Sequence, residues 1–166
     1  MRGPIRKPGT YTHSQTDPHV TAEKLQEFKA KLERLKNMDQ PRAIQEVKRL
    51  AELGDFSENA AYQIAKGRRR GINERIGELE SAIGKAILIP SGTQGNRVQL
   101  GHLVTVELDG QEKMYRILGS SETDPKRGII SHTSPLGSAL LGKKVRETFI
   151  VRLANKDVTC TIRDIA

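Results

Sequence analysis

Between residues 21 and 83, apolar residues recur at helical spacing in two runs of similar length, with only a few residues between them. In the first run Leu25, Phe28, Leu32 and Leu35 follow one another at steps of three and four, behind Thr21 as a helix N-cap. Ile44, Val47 and Ala51 continue the stripe as far as Gly54, which reads as a stop. Asp39-Gln40-Pro41 interrupts it, as a restart with Pro41 in the first turn or as a kink. In the second run the stripe is Ala61, Ile64, Ala65, Ile72, Ile76, Leu79 and Ile83, behind Ser57 as N-cap. Neither helix can bury its apolar face alone. The short connection makes them fold onto each other as an antiparallel, coiled-coil-like hairpin. At about 1.5 Å per residue, residues 21–53 make a rod of roughly 50 Å.

Composition supports such a division. The 166 residues are 36% hydrophobic and contain no Trp, which disfavours one large core. From Ile87 onward the pattern changes. Pro90-Ser91-Gly92 and Gly95 mark a linker over about 87–95. Short strand-like runs follow at Leu103–Leu108, Met114–Leu118, Gly128–Ser131, Phe149–Leu153 and Val158–Ile165. Asp109-Gly110 and Asn155-Lys156-Asp157 are hairpin turns between pairs of runs, and Ser134-Pro135 opens a short helix that Gly142 closes. The expected fold is α+β: a hairpin over 21–86, then a small, mostly antiparallel sheet domain over 96–166 with one short helix. Residues 1–20, with three prolines and little apolar periodicity, read as a flexible tail.

A net charge of +8 favours an anionic partner, nucleic acid or an acidic protein surface. The single cysteine, Cys160, cannot form an internal disulfide and reads as a buried small hydrophobe. No apolar run reaches the roughly 20 residues of a membrane span, and the N-terminus lacks the apolar core of a secretory signal. A cytoplasmic protein without membrane contact is the expectation. His13, His19, His102 and His132 show no metal spacing and no paired acid in sequence.

The chemistry concentrates at the hairpin's turn, Gly54-Asp55-Phe56-Ser57-Glu58-Asn59-Ala60-Ala61-Tyr62. On spacing alone Asp55 and Glu58 have two readings. They are ordinary acidic residues at a helix N-terminus, where the helix dipole favours them. Or they are an exposed carboxylate pair suited to magnesium, a hard cation that takes oxygen ligands and keeps waters. Two carboxylates do not close a cage, so the second reading needs a metal shared with another macromolecule. Phe56, an aromatic with little core to enter at the end of a rod, points to docking into a partner. Arg68-Arg69-Arg70 on the second helix is a basic patch for nucleic-acid contact or a solvated face.

The run GDFSENAAY resembles the tip of the bacterial Gre transcript-cleavage factors, whose pattern is Gly-Asp-(Leu or similar)-x-Glu-Asn-Ala-x-Tyr. The similarity continues through IGELESAIGKAILI, GHLVTVEL, YRILGSSETDPKRGIISHTSPLGSALLGKK and the last strand pair, covering roughly residues 21–165. The resemblance implies an FKBP-like second domain that docks at the rim of the RNA polymerase secondary channel. It implies a coiled coil reaching the active centre of a backtracked complex. It also implies that Asp55 and Glu58 help polymerase hold a second catalytic Mg2+ and the attacking water, with Phe56, Ser57, Asn59 and Tyr62 supporting the tip. The factor would then stimulate polymerase's own cleavage rather than be an enzyme. Its partners would be polymerase, nascent RNA and the DNA of the elongation complex, and it would act as a monomer. Arg68, Arg69 and Arg70 are the candidate RNA or channel contacts, and Ser134, Pro135 and Leu136 the candidate docking residues. Two departures stand out: Ala61 occupies a position where many members carry an acid, and Gly67 with the arginine run is unusual mid-helix. Two other readings stay open, a channel-occupying regulator without cleavage and a basic coiled coil that binds nucleic acid directly.

Overall fold

The computed structural model describes residues 17–53, 60–91, 95–153 and 156–166. The first arm of the hairpin is α1 (Ala22–Arg34), a π-helical turn over Leu35–Asp39, and α2 (Gln40–Glu52), without a break between them. Thr21 caps it as expected, its side chain accepting from the Lys24 amide at 3.1 Å. Pro41 lies in the first turn of α2, as the restart reading has it, and a π-helical turn joins α2 to α1. A proline inside an α-helix crowds the carbonyl one turn back. Widening that turn, with the Gln40 amide bonded to the Leu35 carbonyl, lets the chain pass Pro41 and stay helical.

The second arm is α3 (Ala60–Lys85). Cross-links along the rod show its antiparallel sense: Lys36 pairs with Glu80, Gln40 donates to Asn73 at 2.9 Å, and Arg68 meets Glu46 at 3.3 Å. The buried stripe is Ala43, Val47 and Leu50 against Ala65, Ile76 and Leu79. Three positions expected on it are corrected: Ile44 and Ile64 are 47% and 66% exposed, and Ala61 is exposed too. A two-helix contact is a narrow seam, and a residue one step off it has no third element to cover it.

Residues 17–20 correct the expectation of a tail running to residue 20. His19–Val20 (β1) pairs in parallel with Ile87–Leu88 (β2), so both ends of the hairpin are tied together at its base. Val20 and Ile89 are buried there.

The remaining strands form one five-stranded sheet. They are β3 (Leu103–Leu108), β4 (Gln111–Leu118), β5 (Ile129–Ser131), β6 (Thr148–Leu153) and β7 (Lys156–Ile165), in spatial order β5-β4-β3-β7-β6. Every pair is antiparallel except β4 with β5. Asp109-Gly110 makes the tight β3–β4 turn with φ of 48° and 79°, the left-handed pair that a two-residue hairpin demands. At the other hairpin Leu153 pairs with Lys156, so Lys156 and Asp157 are strand rather than turn. The short helix α4 (Pro135–Leu140) lays Leu136 and Leu140 onto the sheet face carrying Val104, Val106, Ile117, Val151, Cys160 and Ile162.

Candidate functional site

Helix α2 ends at Glu52 and α3 begins at Ala60, and the two helices run antiparallel. Asp55, Phe56, Ser57, Glu58 and Asn59 lie outside the described residues. The stem immediately beneath them is described. Tyr62 is half-buried against a small cluster of Val47, Leu50 and Ala65, and the Lys66 ammonium sits 5.4 Å from its ring centre. This plug is the last apolar layer among the described residues before the turn, and it ties the first turn of α3 to the last turns of α2. Ala61 is exposed.

One turn further down, the arginine run divides. Arg68 is committed across the hairpin to Glu46, and Arg70 reaches Glu74 on its own helix at 3.7 Å. Arg69 and Arg70 line a shallow groove with Val47, Tyr62, Lys66, Gly67 and Asn73, about 570 Å³ in volume. Cations facing an open groove beside an aromatic ring can accept a phosphate backbone and an unstacked base. Among the described residues, a Cβ at Gly67 or Gly71 would meet nothing within 4 Å, so no packing contact with them requires a glycine at either position.

On the sheet domain, the three candidate docking residues separate. Ser134 caps α4: its hydroxyl donates to the Ser131 carbonyl at 2.7 Å and accepts from the Gly137 amide at 3.1 Å. Leu136 is buried in the core. Of the three, Pro135 alone presents its side chain to solvent.

A further cluster, not legible from spacing, sits at the base of the rod. The two oxygens of Asp17 accept from His19 Nδ1 at 3.0 Å and His132 Nε2 at 2.8 Å. The same carboxylate accepts the Ser120 amide at 2.7 Å and the His19 amide at 3.1 Å. Burial alone would raise its pKa; the amides of Ser120 and His19 and the two imidazoles outweigh burial and hold it well below the usual carboxylate range. The expectation that no histidine has a paired acid is therefore corrected for His19 and His132. The acid for His132 is 115 residues away in sequence. Asp17-Pro18-His19 was the available signal, too short to be specific. Alongside, Glu122 takes the Thr21 amide at 2.8 Å and the Thr21 hydroxyl at 2.6 Å, so the sheet domain holds the residue that caps α1. Gly119 makes this approach possible, because a Cβ there would lie 1.8 Å from the His19 carbonyl.

The described residues form a two-helix rod joined at its base to a small sheet domain. Comparison with known proteins gives this architecture a family. The model described as "Transcription elongation factor, N-terminal" matches residues 19–87, and "Transcription elongation factor, GreA/GreB, C-term" matches residues 93–166. The transcription elongation factor GreA of Bacillus subtilis (strain 168) is 38% identical over 149 residues, 89% of this chain and 95% of that protein. GreA of Macrococcus caseolyticus is 36% identical over 143 residues, 85% and 90%. The chain belongs to the GreA/GreB family of transcription elongation factors. Among solved structures, Gfh1 of Thermus thermophilus aligns over 90% of this chain and 99% of its own, at 23% identity and a TM-score of 0.42. GreA/GreB from Nitrosomonas europaea aligns over 74% and 93%, at 19% identity and a TM-score of 0.39. Among the described residues, no helix is long and apolar enough to cross a membrane.

Proposed function

We propose that the chain binds RNA polymerase through its sheet domain, inserts the rod into the secondary channel and stimulates cleavage of backtracked nascent RNA. The observation that carries this is the position of Asp55 and Glu58 in sequence: both fall between Glu52, where α2 ends, and Ala60, where α3 begins. Family membership supports the role in elongation.

Two carboxylates are the oxygen donors that magnesium takes, and they are too few to hold it alone. Asp55 and Glu58 would share the ion with polymerase, and when bound it supplies charge neutralisation at the phosphate and an activated water. The chain's own work is positional. The Tyr62 plug fixes the first turn of α3, and Arg69 and Arg70 in the open groove meet phosphates of the extruded RNA. The enzyme in this scheme is polymerase, and the chain is a monomeric cofactor protein.

The test uses stalled, backtracked elongation complexes in magnesium, followed by RNA length. The parent protein is expected to shorten the transcript. Asp55→Ala or Glu58→Ala should each slow this by roughly two orders of magnitude, since charge stabilisation by a metal is worth several kcal/mol. Unchanged cleavage in both variants would remove the tip mechanism. No cleavage by the parent protein would leave a channel-occupying regulator.

A further inference from the structure

We propose that Asp17, His19 and His132 form a binding site for a zinc-class divalent transition metal at the base of the rod. This is independent of the magnesium chemistry at its tip. The three residues come from two places in the chain: the segment leading into β1, with His19 in β1 itself, and the turn that follows β5. Their ligand atoms all lie within 4.8 Å of one another. The imidazoles meet edge to face, with ring centres 5.2 Å apart and planes at 77°, which leaves both rings directed at the one carboxylate between them.

The donor set decides the metal class. Two imidazole nitrogens and one carboxylate oxygen suit zinc and its neighbours, and do not suit calcium or magnesium, which take oxygen ligands. A tetrahedral ion with bonds of about 2.0 Å spaces its ligand atoms by about 3.3 Å. The contacts of 3.0 and 2.8 Å run to the two different oxygens of Asp17, and the ligand atoms, one from each residue, lie within 4.8 Å of one another, so the side chains would draw together by up to about 1.5 Å to close around an ion. Three protein ligands leave a fourth position for water. The surroundings are those of a supported site. Asp17 is fixed by the amide and hydroxyl of Ser120 and by the amide of His19, the kind of outer partners that orient metal ligands. The Asp17 side chain is 8% exposed, while His132 and His19 are 20% and 34% exposed, so an ion can enter from solvent.

Binding would replace two hydrogen bonds with three coordinate bonds across the junction. It would clamp the strand that starts the rod to the sheet domain, next to the Glu122–Thr21 contact. The ion would thus act on the junction and not on the tip.

The experiment is titration of the full chain, stripped with a chelator, with ZnCl2 by calorimetry and with CoCl2 by visible absorption. One ion per chain is expected. His19→Ala and His132→Ala should each weaken it by at least ~10-fold, the loss that even outer partners cause. His13→Ala should leave it unchanged. Binding that survives both His19→Ala and His132→Ala, or that is lost in His13→Ala alone, overturns the site, as does no binding by the parent protein. Should a variant unfold, histidine NMR of the parent decides. Zinc must shift the imidazole signals of His19 and His132 and spare those of His13 and His102; any other pattern contradicts the assignment. The RNA cleavage assay is a separate readout, so failure here leaves the tip mechanism standing.

Discussion

The rod and the sheet domain solve the burial problem in opposite ways. In the sheet domain, α4 covers one face, and Val104, Val106, Ile117, Leu140, Cys160 and Ile162 lose all contact with solvent. In the rod, α1 buries no residue, and Ala43, Val47, Leu50, Ala65, Ile76 and Leu79 keep 3–9% of their surface exposed. Two helices side by side share one seam and have no third layer. The difference teaches that thinness costs stability. A rod this slender has to live on little buried surface, with cross-strut ion pairs that contribute under about 1 kcal/mol each at a solvated surface. The rod should open locally well before the sheet domain melts.

Substitutions can break this comparison, taken here from the largest expected effect. Leu140→Ala removes a fully buried side chain at the centre of the sheet core and should cost about 2–5 kcal/mol. Denaturant unfolding followed by near-UV signals of Tyr115 would show it. Leu50→Ala acts on the rod's seam, where water can reach the gap, so the cost should sit at the low end, about 2 kcal/mol. Hydrogen exchange should show the loss confined to α2 and α3. Equal losses in both regions from Leu50→Ala would mean that they unfold as one unit.

Gly67→Ala and Gly71→Ala sharpen the comparison in the other direction. A Cβ at either position meets nothing, so each should stabilise the rod by about 1 kcal/mol through helix propensity alone. Circular dichroism melting of the helical signal checks this. A decrease in stability would show that these glycines serve a contact in the free chain after all.

The smallest effect concerns Cys160. Burial pushes its thiol up to about 11, so the folded protein holds it protonated. The stability this contributes is complete below the ordinary thiol value and fades as pH rises from there towards 11. A thiol reagent at pH 8 should label native protein far more slowly than denatured protein; equal rates would contradict the buried, neutral thiol.

How much of this was legible in the sequence varies by the range of the interaction that decides it. Thr21, Ser134-Pro135 and Asp109-Gly110 act within a few residues of themselves, and each caps or turns the chain where the pattern placed it. The stripe was legible in period but not in phase. Ile44 and Ile64 fit a helical repeat, but which neighbouring residue meets the partner helix depends on how the two arms rotate against each other. The π-helical turn at Leu35–Asp39 was not legible, because a proline allows a restart, a kink or a bulge and the partner helix selects among them. The Asp17–His132 contact was invisible because it needs the parallel β1–β2 pair and the position of β5 at the sheet edge. The candidate site divides similarly: the tip carboxylates rest on a contiguous motif, whereas the core position of Leu136 required the packed sheet.

The central claim is that tip chemistry, and not occupancy, makes this rod a cleavage factor. The direct measurement uses the double variant Asp55→Asn with Glu58→Gln, which keeps side-chain size and removes both charges. Backtracked elongation complexes receive parent protein, then a challenge with the variant, and RNA shortening is followed over time. The account predicts that the variant displaces the parent and that cleavage falls to the rate of polymerase alone. A variant that occupies the complex and still shortens RNA at the parent rate would contradict it.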